Sequence, residues 1–351
     1  MARNGNRWKM ALGIALSIFF LWIAFRKVDA HRMAEAFRQA NYWYLLPGVA
    51  ALFTAHWLRA VRHQYLLDPV KHIRLWPLFS ALMVGYFANT LLPAHLGELV
   101  RAYVIGRKEK LSGSAVFATI ALERVIDMVS LLLITALTLT LRPFPPSVAI
   151  PSEVGTSGYL MLGATAALVL FLVLLKVKTE PALRLANSCL RPFGQGLRER
   201  ALRLLRDFVA GLMPLRRSAD YPVVAVISVL LWVGYLVNLY CVMLAFGLAG
   251  SGVGLSAALV VLVITTISIV VPSSPGYVGT YHYLAVLSLT LFGVDKSVAL
   301  SFAVVAHATA VFSVTMVGMA CAWSEGVSLS AMSRREHLAS HGYDGQRPAG
   351  C

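Results

Sequence analysis

The 351 residues are 58% hydrophobic and only 13% charged, with mean hydropathy +0.71. Soluble domains carry roughly 25% charged residues, so a soluble globular fold is excluded. The net charge of +15 does not point to nucleic acid: lysines and arginines gather beside apolar runs, without the interleaved aromatics of a nucleic-acid surface.

Arg3, Arg7 and Lys9 precede an apolar run over 10–25, and Val28-Asp-Ala30 has the look of a cleavage site. Arg26 and Lys27 intervene, which is unusual for a signal peptide, so the run is read as an uncleaved first transmembrane helix. Further runs long enough to cross about 30 Å of hydrocarbon lie at 42–60, 115–141, 158–175, 222–249 and 297–323. Two more apolar arms, 76–92 and 255–271, run into stretches broken by proline and glycine: Asn89-Thr-Leu-Leu-Pro-Ala-His-Leu-Gly-Glu-Leu-Val-Arg101 and Val271-Pro-Ser-Ser-Pro-Gly-Tyr-Val-Gly-Thr-Tyr-His-Tyr283. Irregular backbone at membrane depth survives only against protein or a watery cavity, and paired interruptions in two halves mark transporter binding sites. The expected fold is an all-α polytopic membrane protein with about six full spans and two re-entrant hairpins in an inverted repeat.

Loop charge sets the expected sidedness. Segment 59–74 carries Arg59, Arg62, Lys71 and Arg74, and segment 101–113 carries Arg101, Arg107, Lys108 and Lys110. Both are cytoplasmic if 76–105 dips in and returns. Loops 142–157 and 250–254 suit the outside, and the arginine-rich 176–221 suits the cytoplasm. Both termini are then cytoplasmic, in a bacterial inner membrane. The basic stretch 26–41 violates this scheme, since it falls outside. A shift of about 182 residues lays Pro93 on Pro275, Leu96 on Val278 and Gly97 on Gly279. Segment 181–213 has apolar residues at helical spacing with arginines between, which predicts a basic amphipathic helix on the cytoplasmic leaflet. Residues 324–351 form a polar tail expected to be disordered, leaving 1–323 as the membrane domain.

Charges inside apolar helices cost roughly 2.5–3.5 kcal/mol each on insertion scales and therefore face cavities or pair. Glu98 and Arg101 stand three apart on one helix face, and Glu123 and Asp127 stack at i, i+4 with Arg124 beside them. These groups can hold one another as a structural network, or hold a phosphate through excess positive potential; the two roles are compatible. Half-helices beyond Pro93 and Pro275 would aim N–H groups at the same anion. Pro272, Pro275, Gly276 and Gly279 shape a tight turn, while Ser273, Ser274, Thr280, Tyr281 and His282 offer donors there. His95, His282 and His307 have no metal spacing and read as hydrogen-bonding core histidines. Asn89 and Asn238 suit polar contacts between helices. The four cysteines are scattered, without disulfide or zinc patterning. No catalytic motif and no cofactor fingerprint emerges.

Asn89-x-x-Leu-Pro-x-x-x-Gly-Glu-x-x-Arg101, Glu123-Arg-x-x-Asp127 and Pro272-Ser-Ser-Pro-Gly-x-x-Gly279, in that order, resemble the lysylphosphatidylglycerol synthase transmembrane family over roughly 10–323. The resemblance implies a flippase-like membrane protein. In the bifunctional multiple peptide resistance factor, a similar region is implied to flip a lipid made by an attached synthase. Standalone members are associated with hopanoids and polyprenol-linked sugars. This sequence lacks the synthase domain, and Tyr277 stands where many members have glycine. Glu98, Arg101, Glu123, Arg124, Asp127, Pro275, Gly276 and Gly279 match the family pattern. The leading expectation is a translocase for a phosphate-bearing phospholipid or a polyprenyl- or hopanoid-type lipid. The alternatives are a membrane-embedded transferase using a lipid-linked donor, and an accessory protein that recruits a lipid-modifying enzyme.

Overall fold

In hydrocarbon only a structure that closes its own backbone hydrogen bonds survives, and every regular element among the described residues is helical. A computed structural model describes residues 17–26, 28–91, 96–141, 152–212, 215–251, 253–266 and 275–326. Helix α1 covers 17–25, and α2 (Ala30–Gln39) is capped by Asp29, whose carboxylate accepts from the N–H groups of His31 and Arg32. A 3-10 turn at Tyr42–Tyr44 leads into α3 (Leu45–Leu67), then α4 (Leu75–Leu91), α5 (Gly97–Glu109), α6 (Gly113–Leu141) and α7 (Ser152–Val177). The chain continues through α8 (Thr179–Cys189), α9 (Gln195–Gly211), α10 (Asp220–Ala245), α11 (Leu255–Thr266), α12 (Thr280–Thr290) and α13 (Lys296–Ser324).

Two of these, α10 and α13, are long and apolar enough to cross a membrane. Helices α3, α6 and α7, with 23, 29 and 26 residues, have the length to do so. Large apolar side chains stand open on their flanks: Leu133 on α6, Phe171 on α7, Val229 on α10 and Phe312 on α13. In water such a surface would be an aggregation site; around a bundle this long it is a lipid-facing coat.

The ends of α13, about 43 Å apart at 1.5 Å per residue, mark two poles. At its start, Arg32 pairs with Asp295 at 3.2 Å, Lys296 donates to the Arg26 carbonyl at 2.6 Å, and Asn41 N–H donates to the Ala245 carbonyl at 2.8 Å. At its end, Lys108 pairs with Glu325 at 2.8 Å; Lys71–Glu109 at 2.8 Å and Arg216–Asp68 at 3.3 Å are other ion pairs of that pole. Exposed Trp22, Tyr42, Trp43 and Tyr44 lie toward the first pole, and Trp76 and Trp323 toward the second, the pattern of an aromatic belt. Helix α4 begins and α5 ends at the second pole; α11 begins and α12 ends at the first. Helix α4 packs on α5 and α11 packs on α12, two contacting helix pairs here called hairpins.

Three expectations are corrected. Arg59 and Arg62 do not belong to a loop: α3 runs on to Leu67 and buries both, because no breaker appears before Pro69. The single helix expected over 181–213 is two, α8 and α9, separated by a 3-10 turn at Arg191–Phe193 and by Gly194 at φ 79. The basic stretch 26–41 contains a capped helix, α2, whose Arg32 is held by Asp295 rather than left as loop charge. The expected tail lies outside the described residues from 327 onward.

Candidate functional site: a buried ionic cluster among α3, α5, α6 and α10

The first break is closed by its own side chains. Asn89, near the end of α4, accepts from Gly97 N–H at 2.8 Å and so caps the first free donor of α5. Gly97 sits against the Gly85 carbonyl and the Asn89 amide, so that a Cβ at 97 would collide with α4. This close approach brings α5 alongside α4 and turns the Glu98 and Arg101 face toward α6.

There the charges meet. Arg59 Nη1 donates to Glu123 Oε1 at 3.0 Å and to Asp127 Oδ2 at 2.7 Å, and Arg62 Nη2 donates to Asp127 Oδ1 at 2.6 Å. Arg101 pairs with Glu123 at 3.0 Å, and Arg124 pairs with Glu98 at 3.2 Å, Glu123 at 3.1 Å and Asp127 at 3.4 Å. Tyr235 and Ser228 on α10 accept from Arg59 and Arg62, at 3.2 and 3.1 Å. Four guanidinium groups thus face three carboxylates, one positive charge in excess. Arg62 Nε and Arg101 Nε find no hydrogen-bond acceptor among the described residues, and Glu123 Oε2 makes its contact as an ion pair with Arg101 Nη2 at 3.0 Å.

The cluster is sealed on one side and open on the other. The side chains of Arg62 and Glu123 are 0% exposed, whereas Arg124 and Glu98 are 32% and 29% exposed. Arg124 lies about 16 Å along α6 from Gly113.

The second break carries no such charge. Gly276 (φ 72), Tyr277 (φ 58) and Gly279 (φ 91) form a tight turn that packs on α4. A Cβ at Gly279 would strike the Ser17 backbone of α1, so glycine is required there for space as well as conformation. His307 on α13 donates from Nε2 to the Gly276 carbonyl at 2.7 Å, and His282 Nδ1 accepts from Gly279 N–H at 3.4 Å. Their rings are 4.9 Å apart, and Tyr281 lies 4.9 Å from His307.

Of the residues singled out from sequence, Glu98, Arg101, Glu123, Arg124 and Asp127 converge, with Asn89 supporting them. Pro275, Gly276, Gly279, Tyr281 and His282 gather around the second turn. Ser274, with Pro93, His95, Pro272 and Ser273, lies outside the described residues. Asn238 bridges helices as expected, donating to the Gly48 carbonyl at 2.9 Å. Among the described residues, no group of three or more His, Cys, Asp or Glu is placed to hold a metal ion. Sequence reasoning missed Arg59, Arg62, Ser228 and Tyr235. The signal for the arginines was present: His56, Arg59, Arg62 and His63 recur at three- and four-residue steps on the buried face of an unbroken helix.

Comparison with known proteins gives distant relatives of the whole chain. A UPF0104 membrane protein of Methanothermobacter thermautotrophicus is 23% identical, over 92% of this chain and 97% of that protein. The UPF0104 membrane protein MJ1595 of Methanocaldococcus jannaschii is 22% identical over 83% of this chain and 87% of its own length. Glycosyltransferase AglD of Haloferax volcanii is 23% identical over 90% of this chain but only 54% of that protein. No solved structure matches. The model of the lysylphosphatidylglycerol synthase TM region matches residues 10–318, and the chain belongs to that family.

Proposed function

We propose that the protein is a multi-pass lipid translocase of the plasma membrane, with both termini in the cytoplasm, that holds a phosphate-bearing headgroup at the open edge of the ionic cluster. The two hairpins would be re-entrant, leaving the headgroup between their turns while the acyl chains stay in the bilayer. One observation carries this reading: a net-positive cluster that is sealed at Arg62 and Glu123 but open at Arg124 and Glu98. A purely structural network has no need of an open cation there. Arginine suits bidentate contact with phosphate oxygens, and the buried carboxylates fix the guanidinium groups in place. In proteoliposomes, the wild type is expected to expose labelled headgroups to a membrane-impermeant quencher. Arg124→Ala abolishes that exchange while the protein keeps its helical spectrum and melting profile. Wild-type exchange retained in Arg124→Ala overturns the reading.

A second reading draws on the similarity to the protein named glycosyltransferase AglD. In it the chain serves a lipid-linked glycan pathway, as a membrane-embedded transferase or as the partner of one. Product formed by the purified protein from a lipid-linked donor favours this alternative.

A further inference from the structure

Helices α8 and α9 form a contacting pair on the rim of the bundle, and α9 packs on α6 at the second pole. The C-terminal end of α9 is pinned there. Gly211 lies against the Ala115 backbone, where a Cβ would collide, and Asp207 accepts from the Ser112 hydroxyl at 2.7 Å. Val209 and Gly211 are the buried residues of α9; the rest of the helix is half-buried or exposed.

What is exposed is sorted by kind. Leu197 and Leu204 are 54% and 50% exposed, and at seven residues apart they share one edge of α9. Leu185 on α8 is 67% exposed. Arg200 and Arg203 border the leucine edge, and Arg184, Arg191 and Arg206 are exposed as well. Six arginines stand against three acids over 179–211. Arg203 comes within 3.9 Å of Glu199, with both side chains largely in solvent, while Arg184, Arg191, Arg200 and Arg206 enter no ion pair among the described residues. Water answers the arginines and leaves the leucines uncovered; hydrocarbon does the reverse. The boundary of an anionic leaflet answers both, because arginine stems lie along apolar surface while their charged heads meet phosphates. Trp76 and Trp323, exposed toward the same pole, are of the residue type that sits at that boundary.

We propose that the α8–α9 pair is a docking surface for anionic lipid, lying on the leaflet at the second pole with its leucine edge in the boundary. Its partner is the bulk membrane surface, not a headgroup taken up by the ionic cluster, and it does not depend on translocation.

The test uses the full-length protein with its four native cysteines replaced and a fluorophore attached to Leu204→Cys or Glu199→Cys. The vesicles are phosphatidylcholine with or without phosphatidylglycerol. Position 199 points about 140° away from 204 on the helix. With phosphatidylglycerol present, the probe at 204 is expected to be quenched by spin-labelled lipid and shielded from aqueous acrylamide, while the probe at 199 stays open to it. Arg200→Gln with Arg203→Gln lowers the ratio of shielded to open probe by about thirtyfold, the attraction of two basic residues to an anionic surface, at unchanged melting temperature. Raised salt acts in the same direction. Equal acrylamide quenching at 199 and 204 overturns the proposal, as does shielding that is as strong without phosphatidylglycerol or unchanged in the double variant. Shielding that appears only when a soluble acidic protein is added gives the face to a protein and also overturns it. Headgroup exchange that fails while 204 stays shielded sinks translocation alone.

Discussion

A shift of about 182 residues carries Gly97–Glu109 onto 279–291 and Gly113–Leu141 onto 295–323, where α12 (Thr280–Thr290) and α13 (Lys296–Ser324) lie. The same shift carries Glu98, Arg101, Glu123, Arg124 and Asp127 onto Thr280, Tyr283, Val305, Ala306 and Thr309. Helix lengths match under this shift and the charges do not. The second hairpin forms with a neutral lining and two hydrogen-bonded histidines, so ionic groups are not what this architecture needs in order to fold. Withdrawing a charge from water costs several kcal/mol even after relaxation. One half carries seven such groups and the other has none at the matching positions; the binding role proposed above accounts for the difference.

The comparison breaks most sharply at Glu123 and Val305, which occupy equivalent places. Glu123→Ala strips a carboxylate from four arginines, three of them almost fully buried, and should cost about 3–5 kcal/mol. Val305→Ala removes two partly buried methyls and should cost roughly 1 kcal/mol. Thermal or denaturant unfolding in detergent checks the difference, and similar losses would mean the cluster is a minor support. Next in size is Gly97→Ala, which drives a methyl into the Gly85 carbonyl; about 1–3 kcal/mol should be lost. The equivalent Gly279 is constrained for another reason, its φ of 91 and its contact with Ser17. If Gly97→Ala melts like the wild type, α4 and α5 are not packed as closely as described.

Much of this was legible in the sequence, and the reasons are specific. Helix α13 differs from its expected span of 297–323 by a residue at each end, because Asp295 supplies an N-cap and a long apolar run follows. Convergence of Glu98 and Arg101 with Glu123, Arg124 and Asp127 was visible because three- and four-residue spacings put side chains on one face. Arg59 and Arg62 were hidden by the positive-inside rule itself, which reads arginines at a span's end as loop charge; only tertiary pairing with α6 and α10 distinguishes them. The division of 181–213 was hidden because its apolar period continues across Leu190 and Leu197, while Gly194 interrupts the backbone between them. The turn at 276–279 was marked by Gly276 and Gly279, but the positive φ of Tyr277 between them was not, because tyrosine does not signal that conformation.

The most direct test of the account is whether water and headgroup reach the cluster's open edge. With the four native cysteines replaced, Glu98→Cys in liposomes is treated with a water-soluble thiol reagent, which attacks only the hydrated thiolate. The account predicts modification of Cys at 98, slowed when short-chain phosphatidylglycerol is added. A thiol that stays unmodified, or one modified at the same rate whatever lipid is present, would contradict it.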